Sequence, residues 1–222
     1  IIGRVIRESK KKYIIKTQQV NFNGQISGKL RHDAKSRADY PAVGDWVAIK
    51  PKEENNATIH KILPRKTIIE RQAIGRFGEK QTIATNVDTA FVMQDITHDF
   101  NLNRLDRLIA ISFASKIQPV VIFTKIDVAD KSELADKTEQ VNKRFTDILI
   151  LFLSNKSLDG FFAVKKLIEH GKTYCFIGAS GAGKSTLINN LVGEKVMLTK
   201  SLRDKSNKGQ HTTNHRELFI LK

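Results

Sequence analysis

Residues 178–186 read Gly178-Ala179-Ser180-Gly181-Ala182-Gly183-Lys184-Ser185-Thr186, a match to G-x-x-x-x-G-K-[ST]. The glycines permit a tight curl in which successive backbone N–H groups turn inward toward phosphate oxygens. Lys184 adds positive charge at the β- and γ-phosphates, and the Ser185 hydroxyl is placed to ligate Mg²⁺. The apolar KTYCFI (172–177) before the loop reads as a strand and STLINNLV (185–192) after it as a helix. The positive N-terminal end of that helix then aims at the same anion. A chance match in a chain of this length is about one in a hundred, and the strand–loop–helix context lowers that further. The stretch predicts a nucleoside-triphosphate site, with each residue from Gly178 to Thr186 a candidate contact.

Upstream, apolar runs alternate with amphipathic ones. DTAFVMQDI (88–96), PVVIF (119–123) and DILILFL (147–153) read as strands. NLNRLDRLIAISFAS (101–115), KSELADKTEQVNKRF (131–145) and SLDGFFAVKKLIEH (157–170) read as helices between them, and HRELFIL (215–221) as a last strand. Alternation of this kind predicts a parallel sheet covered on both faces. Thr124-Lys125-Ile126-Asp127 follows directly on PVVIF. A carboxylate there can accept from the guanine N1–H and N2 amine, whereas adenine would leave it facing a lone pair. The Lys125 stem can lie along the base plane. TKID resembles the guanine-specificity element of the P-loop GTPases, and Ser154, Asn155 and Lys156 end the next strand, where that resemblance implies a loop whose backbone N–H touches guanine O6. Thr124, Lys125, Asp127, Ser154 and Asn155 are therefore the candidate base-binding residues.

These base elements precede the phosphate loop, the reverse of their usual order. Rejoining a compact α/β domain elsewhere is tolerated when its termini lie close together, so the order predicts a circularly permuted domain. KGQHTT (208–213) suits a switch loop ordered by the γ-phosphate, and a hydroxyl from either Thr212 or Thr213 would complete the Mg²⁺ shell opposite Ser185.

The first 68 residues read as a small all-β barrel, with strands GRVIRES, KYIIKT, QISGKLR, DWVAIKP and TIHKIL broken at NFNG, YPAVGD and EENNA. An OB-type barrel fits, and an SH3-like one nearly as well. Trp46, beside a GD turn, reads as core. Residues 69–81 read as a charged, glycine-punctuated linker, and 82–222 as the α/β domain.

The chain carries 38 Lys and Arg against 23 Asp and Glu. Residues 1–70 hold 15 basic against 7 acidic side chains, residues 71–170 hold 14 against 13, and residues 171–222 hold 9 against 3. Basic ends around a neutral middle favour a polyanion such as nucleic acid. No apolar run approaches the roughly 20 residues of a membrane span. A single cysteine, Cys175, points to a reducing, cytoplasmic home and excludes a zinc site built on two cysteines. The native start is expected to lie before Ile1.

Taken together, PAVGDWVAI, NVD (86–88), FNLNRLDRLI, TKID, the phosphate loop and KGQHTT resemble, in order, the bacterial circularly permuted GTPases of small-ribosomal-subunit biogenesis, the RsgA type. A monomer is expected, and the resemblance implies that it binds GTP and GDP with Mg²⁺. It also implies GTP hydrolysis stimulated by the small subunit and a barrel that contacts ribosomal RNA. In that family His211 would position the attacking water, with Lys184 and Thr213 completing the catalytic set. The family's D-x-P-G element and its zinc-binding helical domain would follow Lys222, so a truncated chain or a reduced relative is expected. Two rivals remain. A P-loop kinase or ATPase would bind ATP as well as GTP. An RNA-binding module with an inactive pocket would bind small subunits regardless of nucleotide.

Overall fold

The computed structural model describes residues 1–9, 12–72, 80–197 and 216–221. The described residues divide into two compact units, 1–87 with 216–220, and 88–197 with Leu221.

In the first unit, β1 (Ile2–Ser9), β2 (Lys12–Lys16), β3 (Asn21–Ile26), β4 (Trp46–Pro51) and β5 (Asn56–Ile62) close a barrel in the order β1-β2-β3-β5-β4. The parallel β3–β5 pairing and the antiparallel closure of β1 on β4 make this the OB-type arrangement. Strand alternation turns Val5, Tyr13, Ile15, Phe22, Ile26, Val47, Ile49, Ala57 and Ile59 inward. The interior is narrow. A Cβ on Gly3 would lie 2.5 Å from Ile15 Cγ2, and one on Gly24 2.4 Å from Ile15 Cδ1. The two glycines therefore make the room that Ile15 fills.

Three expectations change here. NFNG is not a break, because Phe22, Gly24 and Ile26 alternate inward and carry β3 through it. The following residues form not a strand but the helix α1 (Gly28–Asp33), started by Ser27, whose hydroxyl accepts from Leu30 N–H. Trp46 is 42% exposed rather than core, because Val47 and Ile49 take the inward positions of β4. The Arg4 guanidinium lies over its ring, 5.2 Å from the centroid.

The loop before β4 is held by a buried ion pair. Asp45, fully buried, accepts from Ala42 N–H and from two nitrogens of Arg65, which also donates to the carbonyls of Ala38 and Tyr40. All three nitrogens of that guanidinium thus donate to an oxygen, which offsets the cost of burying the charge.

The expected linker contains structure: β6 (Ile68–Gln72) pairs antiparallel with β7 (Lys80–Thr85). IIERQ and KQTIAT carry charged and polar side chains in place of the apolar alternation that marks the barrel strands. The first unit reaches Val87, whereas the barrel was expected to end at residue 68 and the α/β domain to begin at residue 82. The expected last strand also falls elsewhere. Glu217 bridges Arg7 of β1 and pairs with its guanidinium, while Leu218 N–H donates to the Ile6 carbonyl at 2.8 Å. Ile6 is the extra residue of a bulge between Val5 and Arg7, which turns a carbonyl away from the β1–β2 register.

In the second unit, β8 (Thr89–Asp95), β9 (Gln118–Thr124), β10 (Leu149–Leu153) and β11 (Tyr174–Gly178) form a parallel sheet ordered β10-β9-β8-β11. One face buries Phe91, Met93, Val120 and Ile122 with Val164 of α4 (Phe161–Lys166) and Leu187 of α5 (Lys184–Val192). The other buries Val92, Val121 and Phe123 with Leu105 and Ile109 of α2 (Leu102–Ala114) and Val141 of α3 (Lys131–Arg144). Both faces are covered, so the central strands are buried almost end to end and apolar through their middles. Chemistry is left to the strands' C-terminal ends.

Candidate nucleotide site

The loop after β11 turns on glycines that no other residue could replace without strain. Gly178 (φ +151°) would drive a Cβ to 2.1 Å from the Met93 carbonyl oxygen. Gly183 (φ +83°) occupies the N-cap of α5, where a Cβ would lie 2.7 Å from Asn155 Nδ2. Between them Ser180 and Gly181 are exposed at the lip, while Ala182 is buried in the sheet core and anchors the curl. Lys184 Nζ donates back across the loop to the carbonyls of Gly178 (2.9 Å) and Ala179 (2.6 Å). Burial pulls the pKa of its ammonium below the ordinary lysine value. Ser185 and Thr186, half-buried, follow in the first turn of α5.

The base elements converge on the same loop. Thr124, fully buried at the end of β9, has its hydroxyl 3.1 Å from the Ala182 carbonyl and 3.3 Å from that of Gln94. Lys125 is left-handed (φ +64°), and the turn Ile126–Val128 leaves the Asp127 carboxylate exposed. Ser154, fully buried, accepts from the N–H groups of Lys156 and Ser157 and so folds the loop after β10. Asn155 Nδ2 donates to the Gly183 carbonyl at 3.2 Å, and Asn190 of α5 donates to the Asn155 carbonyl. That bond fixes the amide's orientation and leaves the buried Asn155 Oδ1 without a donor among the described residues. Residues from 124 to 190 are thereby brought into one site. His211, Thr212 and Thr213 lie outside the described residues.

Two participants were not singled out from the sequence. Asn190 looks like an ordinary helix residue. Asp95 ends β8, and its Oδ2 lies 2.5 Å from Lys125 Nζ while Oδ1 accepts from the Thr97 N–H and hydroxyl. Burial works against its charge, but the bonds from Lys125 and Thr97 outweigh it and hold its pKa at about 2. A carboxylate closing a buried strand was the available signal.

The family model for the RsgA GTPase matches residues 62–222. The chain belongs to the RsgA GTPase family. It is 38% identical over 221 residues to the small ribosomal subunit biogenesis GTPase RsgA 2 of Lactiplantibacillus plantarum, covering 100% of this chain and 62% of the relative. It is 39% identical over 197 residues to the RsgA protein of Methanosarcina acetivorans, covering 88% of this chain and 52% of that one. The chain thus spans between about half and just under two thirds of these relatives' length. The fold matches the crystal structure of YjeQ from Thermotoga maritima with a TM-score of 0.66 at 21% identity, over 85% of this chain and 63% of that one. It also matches YloQ, described as a circularly permuted GTPase, with a TM-score of 0.63 at 22% identity, over 86% and 63%. An OB-type barrel followed by a circularly permuted P-loop GTPase domain is therefore the fold of this RsgA-family chain.

Proposed function

We propose that this chain is a GTP-dependent switch acting in the cytoplasm on maturation of the small ribosomal subunit. One observation carries the reading. Thr124 and Asn155, from two base-recognition segments, reach the carbonyls of Ala182 and Gly183 in the phosphate loop. Base and phosphate recognition are thus parts of one rigid site, as a guanine-specific switch requires. Asp127 reads the guanine N1–H and N2 amine, the loop N–H groups and Lys184 hold the phosphates, and the Ser154–Asn155 segment meets O6.

The donor set fits Mg²⁺. Among the described residues no cluster of three or more His, Cys, Asp or Glu builds a metal cage. Mg²⁺ is commonly held by a few protein oxygens together with substrate phosphates, and Ser185 supplies such a hydroxyl beside Lys184. Ser185 with Thr212 or Thr213 would hold the ion, which supplies charge neutralisation at the phosphates when bound. Hydrolysis proceeds by in-line attack of water on the γ-phosphate, releasing GDP and phosphate, with His211 orienting the water.

The barrel docks on ribosomal RNA. Its basic excess and the exposed Trp46 with Arg4 over its ring supply the charge and the stacking surface. The relatives' names, which specify small-subunit biogenesis, support the same partner.

Titration calorimetry with Mg²⁺ tests the site. GTP is expected to bind at least about a hundredfold tighter than ATP, and Asp127→Ala should remove the discrimination. Equal affinities in the wild type would return the chain to the general P-loop class.

A further inference from the structure

Asp95 and Lys125 come from adjacent strand ends. In the β8–β9 register Asp95 sits opposite Thr124, so its side chain meets the first residue beyond the strand. The carboxylate is 5% exposed, whereas the lysine side chain is 41% exposed. The two carboxylate oxygens are divided between partners. Oδ1 takes the Thr97 N–H at 2.9 Å and the Thr97 hydroxyl at 2.7 Å, and Oδ2 takes Lys125 Nζ at 2.5 Å. Thr97 thus orients a carboxylate whose second oxygen is committed to the lysine.

Lys125 is pinned at both ends. Its backbone is fixed in the left-handed region (φ +64°, ψ 35°) where the chain leaves β9, and its ammonium is fixed by Asp95. The methylenes between these anchors lose the rotamer freedom an exposed lysine normally keeps. A fixed, half-exposed apolar strip beside a strand end is a surface on which a planar base can lie.

We propose that Asp95 is a positioning residue for guanine recognition, holding the Lys125 ammonium so that the lysine stem forms a preset platform for the base. The proposal rests on the nucleotide-site reading above. Asp95 does not touch the nucleotide; it acts through Lys125. The benefit is preorganisation: ordering that stem is completed on folding and not charged against nucleotide binding.

The test is calorimetry on the full 222-residue chain with GTP, GDP, ATP and inorganic tripolyphosphate. The variants are Asp95→Asn, Lys125→Met and the double substitution. Asp95→Asn keeps the shape and the acceptor for Thr97 but loses the charge. It is expected to weaken GTP and GDP about tenfold and to leave tripolyphosphate, which reads the phosphate loop alone, unchanged. Lys125→Met should cause the same loss, and the double variant no further loss.

Full GTP affinity in Asp95→Asn overturns the proposal. So does an equal additional loss in the Lys125→Met background, or a parallel loss of tripolyphosphate, which marks general disturbance. Should Asp95→Asn not fold, Lys125→Met decides alone, because methionine keeps an apolar stem without the ammonium that Asp95 holds. Unchanged GTP affinity there overturns the proposal. Wild type binding GTP and ATP equally overturns the guanine reading, while the Asp95–Lys125 coupling is still measured on either purine. A wild type that binds no nucleotide overturns both.

Discussion

The barrel and the parallel sheet solve the same burial problem differently. The barrel encloses a small core whose inward positions come from every second residue, and it tolerates glycine where Ile15 needs space. The sheet is covered on two faces, so β8 and β9 are buried at nearly every position. Consequently the barrel keeps an outer face on which Arg4 and Trp46 stand, while the sheet has only its C-terminal ends free for chemistry. Their charged anchors differ accordingly. Asp45 and Arg65 brace a loop in the barrel, and Asp95 and Lys125 brace the turn that leaves β9 at the sheet's end.

Asp45 is the residue whose loss should separate the two units most. Asp45→Ala leaves the buried Arg65 guanidinium without its carboxylate, and a loss of about 3–5 kcal/mol is expected. Trp46 is the sole tryptophan, so its fluorescence in denaturant follows the barrel, while far-ultraviolet dichroism follows mainly α2, α3 and α5 of the sheet unit. The tryptophan midpoint should fall and the helical one stay. An equal fall in both would mean that the units unfold as one.

The sheet's anchor gives a smaller effect with a pH signature. The folded Asp95 pKa of about 2 lies below the ordinary aspartate value of 3.8, so its stabilising contribution is complete above that ordinary value and lost as pH falls through about 2. The expected size is about 2 kcal/mol. Urea unfolding followed by dichroism between pH 5 and pH 2 measures it, and Asp95→Asn should flatten that limb of the profile.

The mildest perturbation is Gly24→Ala. Its new methyl would meet the flexible tip of Ile15, so a cost of about 1 kcal/mol is expected. Adding Ile15→Val should restore the tryptophan midpoint. No recovery would show that the space around Ile15 is not what Gly24 supplies.

Much of this architecture was legible before the structure. The phosphate loop is short, and its glycines carry their own conformational requirement, so a local pattern sufficed. The same holds for the buried strands, whose composition reports two covered faces. Glycine misled the reading in the barrel, where NFNG resembles a turn but Gly24 serves packing against a residue on the neighbouring strand. Ser27 carried a legible cap signal, yet the strand-like QISGKLR overrode it. The Ile6 bulge and the bridge to Glu217 join residues 210 apart, beyond any local pattern.

The amino-acid sequence by itself therefore determined the classes of the two folds, the permuted order of the GTPase-domain segments and the P-loop motif. These depend on periodicity and short-range backbone geometry, which neighbours along the chain set. Only the tertiary structure decided that Asp95 meets Lys125, that Asn155 reaches Gly183 and that Trp46 faces outward. Such pairings depend on strand register and on which side chains adjacent strand ends present to each other, quantities that exist only once the sheet and the barrel have closed.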